Sequence, residues 1–81
     1  METARKNIGS AIAEIRKEQG LTHDDIAERA IVTIEDMRNI EEGVLSPDQK
    51  TLDSIAKILR VSSKEITDRA ASILTVIKKI A

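Results

Sequence analysis

The chain has 81 residues, the size of one small domain, with 13 Lys and Arg against 14 Asp and Glu and a formal net charge of −1. Having no Cys and one His, it offers no disulfide framework, no Cys-based zinc site and no His-rich metal site. Having no Phe, Tyr or Trp, it lacks the aromatic platforms of base-stacking single-strand binders. No apolar run approaches the roughly 20 residues of a membrane span, and charges throughout residues 1–20 leave no signal-peptide core. These features fit a cytoplasmic protein without cofactor or membrane contact.

The apolar spacing is helical almost everywhere. Ile8, Ile12 and Ile15 step by four and three and mark one face of a first helix at about 4–19, stopped by Gly20. Thr22 offers a hydroxyl N-cap, with Asp24 and Asp25 in the first turn, where the helix dipole favours anions. A short second helix at about 23–30 buries Ile26, Ala27 and Ala30. Thr33 and Asp36 form a capping-box variant that opens a third helix at about 34–42, with Met37 and Ile40 inside and Gly43 as its stop. Ser46-Pro47 reads as a start signal for a fourth helix at about 47–59, whose inner face is Leu52, Ile55, Ala56 and Leu59. Ser62 and Glu65 form a capping box before a fifth helix at about 63–80. The core is aliphatic, with 13 Ile among 33 apolar residues. A core of this size supplies about 3–5 kcal/mol, and a second chain is a natural source of more.

Two short helices joined by about three residues inside a five-helix, all-α domain give the outline of a helix-turn-helix. The order of residue types narrows this. The pieces IRKEQGLT, DIAERA, V-T before the third helix, NIEEG closing it, SPDQKTLDSIAKIL and V-S-S-K-E-I span about residues 8–66. Together they resemble the lambda-repressor-like (Xre/Cro-type) helix-turn-helix family. The resemblance implies a five-helix fold, with the second and third helices as the helix-turn-helix. It also implies a transcription regulator, for instance a repressor, that binds a double-stranded DNA operator as a homodimer, with the third helix in the major groove. Carried onto this sequence, it places Thr33, Ile34, Glu35 and Asp36, with Asn39 one turn on, against base edges. Thr22 and His23 fall where the family touches phosphate. It also pairs Arg16 with Glu41, either as a bridge between the first and third helices or as an orienter of the guanidinium toward phosphate.

The same stretch departs from the pattern in three ways. Between Thr22 and Ser46, seven acids face only two bases, Arg29 and Arg38, a net −5, whereas phosphate attraction supplies much of DNA affinity. Arg16, Arg38 and Lys50, with Lys17, Arg5 and Lys6, are then the cations available for phosphate. Ile31 stands where the family has Gly, and a left-handed residue there would cost about 1–2 kcal/mol. His23 stands where the family has Gln. Its reading is open between a phosphate contact and a solvated first-turn residue near Asp24 and Asp25.

Ile31, Ile34, Val44 and Leu45 lie off the core stripe at the two ends of the third helix. Exposed, they would make an apolar patch with an acidic rim, suited to another protein; alternatively, Val44 and Leu45 cover the corner between the third and fourth helices. In the fifth helix Ile66, Ala70, Ile73, Ile77 and Ile80 repeat by four and three, with Leu74 beside them. This seam either packs on its own domain or forms a dimer interface. No nucleophile–base pair or metal constellation is visible, so the sequence argues against an enzyme. Two functions remain: a homodimeric sequence-specific DNA-binding regulator, and a helix-turn-helix domain that regulates through a protein partner, as an antirepressor, antiactivator or antitoxin does.

Overall fold

The structure, a computed structural model, describes the backbone of residues 2–80 and the side chains of residues 7–72. It contains five α-helices: α1 (Glu2–Glu18), α2 (His23–Arg29), α3 (Ile34–Glu41), α4 (Gln49–Leu59) and α5 (Ser63–Ile80). α1 packs against α5 and α3, α2 against α3 and α4, and α4 against α5. The helices close around Ile12, Ile26, Met37, Ile40, Ile55, Leu59 and Ile66, all fully buried. Each such side chain contributes about 1.5–3 kcal/mol on leaving water.

Three helices stop in one way. After α1, Gly20 takes a left-handed φ of 70° and the Leu21 amide donates back to the Arg16 carbonyl at 3.0 Å. After α3, Gly43 takes φ 80° and the Val44 amide donates to Asn39 at 2.9 Å. After α4 the left-handed residue is Arg60, φ 60°, and the Val61 amide donates to Ala56 at 3.0 Å. This is the six-to-one closure of a Schellman motif, which satisfies otherwise orphaned carbonyls. At Arg60 it carries the steric cost of a Cβ. The side-chain amide of Gln19 donates to the Leu59 carbonyl and helps close the same end of α4.

The fourth helix corrects the sequence reading. It starts at Gln49, not Pro47, and its cap is Asp48, whose carboxylate accepts from the Thr51 amide at 2.8 Å. Ser46 and Pro47 belong to the preceding loop. A carboxylate two residues downstream is the stronger cap here, because it meets an orphan amide with a charged acceptor. In α5 the Ser62 hydroxyl accepts from the Glu65 amide at 3.1 Å. Arg69 ties α5 to α1 through Glu18 at 2.7 Å and Glu14 at 3.4 Å. Ile66 and Ala70, the first half of the α5 stripe, are buried in the chain's own core. The side chains of Ile73, Leu74, Ile77 and Ile80 lie outside the described residues, as do those of Arg5 and Lys6.

Candidate nucleic-acid interface

The unit of interest is α2, the turn 30–33 and α3. Thr22 and Asp25 cap α2 reciprocally: the Thr22 hydroxyl accepts from the Asp25 amide at 3.1 Å, and the Asp25 carboxylate accepts from the Thr22 amide at 2.8 Å. Those bonds to Thr22, backbone first, hold the Asp25 carboxyl below its ordinary range. Thr33 repeats the first half for α3, accepting from the Asp36 amide at 3.0 Å. The turn between them has no left-handed residue; Ala30 is extended at φ −94° and ψ 165°. Ile31 therefore avoids the strain that a Gly-type turn would impose. Its amide donates to the Ser54 hydroxyl of α4 at 3.1 Å.

α3 is fixed at its far end. The Glu41 carboxylate receives two bonds from Arg16, Nε at 2.7 Å and a terminal nitrogen at 3.0 Å. The remaining guanidinium nitrogen donates to the Leu21 carbonyl at 2.9 Å. His23 Nε2 meets Glu41 Oε1 at 3.0 Å. Burial pushes the Glu41 carboxyl up, but hydrogen bonds and charge from Arg16 and His23 outweigh it and hold the carboxyl below its ordinary value. The hydrogen bond with Glu41 raises the Arg16 guanidinium in turn. Both side chains are nearly buried, 11% and 10% exposed. Arg16 is thus a structural cation, with all its nitrogens spent inside the chain.

The sequence held no sign of the partner of His23, which is Glu41, eighteen residues on. One contact on α1 had no signal in the sequence. Gly9 is buried against the end of α3, where an added Cβ would collide with the Ile40 carbonyl oxygen and lie 2.8 Å from that of Glu41. A glycine inside a helix costs about 1 kcal/mol against Ala; here it lets two helix backbones approach.

With Met37 and Ile40 turned into the core, α3 presents Thr33, Ile34, Glu35 and Arg38 to solvent, with Asp36 and Asn39 half-buried. Lys50 is exposed on the first turn of α4. Arg38 also lines a groove between α1 and α3 of about 490 Å³, with Lys17, His23, Glu14, Glu41 and Glu42. Val44 is 66% exposed, so it does not cover the corner between α3 and α4, because the chain leaving Gly43 turns it outward. Among the described residues, no cluster of His, Asp or Glu could hold a metal ion, and no helix is long and apolar enough to cross a membrane.

The comparisons agree with this geometry. The family model for a helix-turn-helix domain matches residues 9–72. The uncharacterized HTH-type transcriptional regulator y4dJ of Sinorhizobium fredii is 34% identical over 62 residues, covering 76% of this chain and 80% of that protein. A crystal structure of the clp gene regulator ClgR from Corynebacterium glutamicum superposes with a TM-score of 0.81 at 25% identity, over 85% of this chain and 90% of that one. A second crystal structure of ClgR superposes at 0.90 with 22% identity, over 94% and 81%, and supports the fold. Geometry, family match and relative together make this chain a member of the helix-turn-helix family of transcriptional regulators, with the lambda-repressor-like five-helix fold.

Proposed function

We propose that the protein is a sequence-specific DNA-binding transcriptional regulator acting as a homodimer. The observation that carries this reading is the locking of α3. Its far end is held by Arg16, His23 and the Gly9 approach, while its capped start leaves Thr33, Ile34 and Glu35 exposed. A rigid helix with a free N-terminal turn is what major-groove reading requires. Asn39 suits an adenine edge, Glu35 can accept from cytosine N4, and Ile34 can touch a thymine methyl. Arg38 and Lys50 serve as phosphate contacts, while the hydroxyls of Thr22 and Thr33 cap their own helices.

The homodimer reading rests on the second half of the α5 stripe, Ile73, Leu74, Ile77 and Ile80, since Ile66 and Ala70 serve the domain core. A twofold pair of α3 helices would then meet successive major grooves. Selection of duplexes from a random library tests the proposal. Palindromic sites should be enriched. Asn39→Ala should relax one position per half-site by about 1–3 kcal/mol, and Ile73→Glu with Ile77→Glu should yield monomers or an unfolded chain in sedimentation. Enrichment of no common sequence would overturn the proposal.

A further inference from the structure

A second, apolar surface involves the segments that flank α3. Ile31 and Val44 are about two-thirds exposed, 67% and 66%, and Ile34 and Leu45 are each 39% exposed. Ile31 and Leu45 line one cavity of about 180 Å³, with Pro47 at its edge and the buried Ile40 as its floor. Small soluble domains seldom leave such a group of aliphatic side chains open unless something binds there. The charges around it have one sign. Asp36 and Asp48 are part of the lining, Glu35 stands exposed one residue before Asp36, and no Lys or Arg lines the cavity. Of the cations nearby in sequence, Arg38 belongs to the groove against α1, and Lys50 does not reach the lining.

Duplex DNA fits the cavity itself poorly, because protein surfaces that bind DNA are polar and positively charged. A hole flanked by carboxylates calls for an aliphatic side chain flanked by cations. We infer that the corner formed by the turn 30–33 and the loop 44–48 is a docking site for a basic, aliphatic-anchored segment of a partner protein. A Leu- or Ile-type side chain would enter between Ile31 and Leu45, and Lys or Arg would reach Asp36, Asp48 and Glu35. Ile34, Glu35 and Asp36 also belong to the proposed DNA-reading surface. If that reading holds, segment and duplex compete, and the partner acts as an antagonist of operator binding.

The test uses the full chain and two fluorescent helical peptides, one of Leu and Lys in amphipathic order and the same peptide with Glu for Lys. Anisotropy should show saturable binding of the Lys peptide, weakened by added salt, and none of the Glu peptide. Ile31→Ser with Leu45→Ser keeps every charge and alters only the two exposed large apolar side chains that line the cavity; circular dichroism verifies that the fold survives. It should weaken the Lys peptide at least about tenfold. Unchanged affinity in that variant would reduce the contact to bulk charge attraction and overturn the inference, as would no saturable binding, or equal binding of the Glu peptide. Self-association of the wild type that this same variant abolishes would assign the face to a second copy instead, and also overturn it. The peptide arm needs no DNA: its failure leaves the operator proposal standing, and failure to select a DNA site leaves the docking site standing.

Discussion

Glu41→Gln probes the joint that holds α3. The substitution keeps the shape of the side chain and removes its charge. Arg16 would then sit 11% exposed with the Leu21 carbonyl and one amide oxygen as partners in place of a bidentate carboxylate. Removing one partner of a fully buried pair costs about 3–5 kcal/mol, and of an exposed pair about 0–1 kcal/mol. The slight exposure and the surviving Leu21 bond place this case between, at about 2–3 kcal/mol. For a domain of this size that is a fall in Tm of about 8–24 °C at neutral pH. The pH dependence has a definite sign. Because the folded Glu41 carboxyl lies below its unfolded value, its stabilisation is fully present above the unfolded carboxylate range and is lost as pH falls through the folded value. The gap between wild type and variant should therefore be present down to about pH 5 and close at lower pH. Thermal unfolding by circular dichroism across that range is the assay. A change in Tm under about 2 °C, or a gap that persists unchanged in acid, would refute the reasoning.

Gly9→Ala should destabilise by about 1–3 kcal/mol or more in chemical denaturation, because its Cβ meets backbone rather than a movable side chain. The helix-propensity gain of Ala, about 1 kcal/mol, would dominate only if α1 and α3 did not approach as described. Arg60→Gly should raise stability by about 0.5–1 kcal/mol in the same assay, since the left-handed φ of 60° then carries no Cβ; a loss would mean the arginine side chain contributes more than its backbone costs. Glu35→Gln with Asp36→Asn, compared at matched fraction folded, should tighten binding to random duplex, because two repulsions with phosphate disappear. The same pair should weaken the basic peptide and flatten its salt dependence.

Local patterns were legible in the sequence. Five helices followed from the three-four spacing of the isoleucines, and Thr22, Thr33, Gly20 and Gly43 marked ends that the structure keeps. The Arg16–Glu41 bridge came from family resemblance and is present. Features decided by tertiary placement were hidden. His23 finds Glu41 only once α2 and α3 are folded together, so nothing in its local sequence pointed to that partner. Gly9 looks like a weak point in a helix until α3 is laid across it. Ser46-Pro47 and Asp48 are both valid start signals, and only the bond to Thr51 decides between them. Arg60 carries no mark of a left-handed residue, because the closure from Val61 to Ala56 imposes it. Of the site itself, the sequence located the acidic start of α3 and the apolar residues off the core stripe at its two ends; it left open whether these were exposed and whether Val44 and Leu45 were covered, which depended on the path taken after Gly43.

The central claim is that this acidic α3 still reads duplex DNA. It is tested most directly by titrating salt against binding of duplex flanking the protein's own gene, beside a scrambled duplex of equal length. With Arg38 and Lys50 as the exposed phosphate contacts of each protomer, four phosphates in a dimer give a slope of log K against log salt of about −3 to −4. The account predicts a complex at low salt with that shallow slope and a clear preference for the native duplex. Absence of a complex at low salt, or equal affinity for both duplexes, would contradict it.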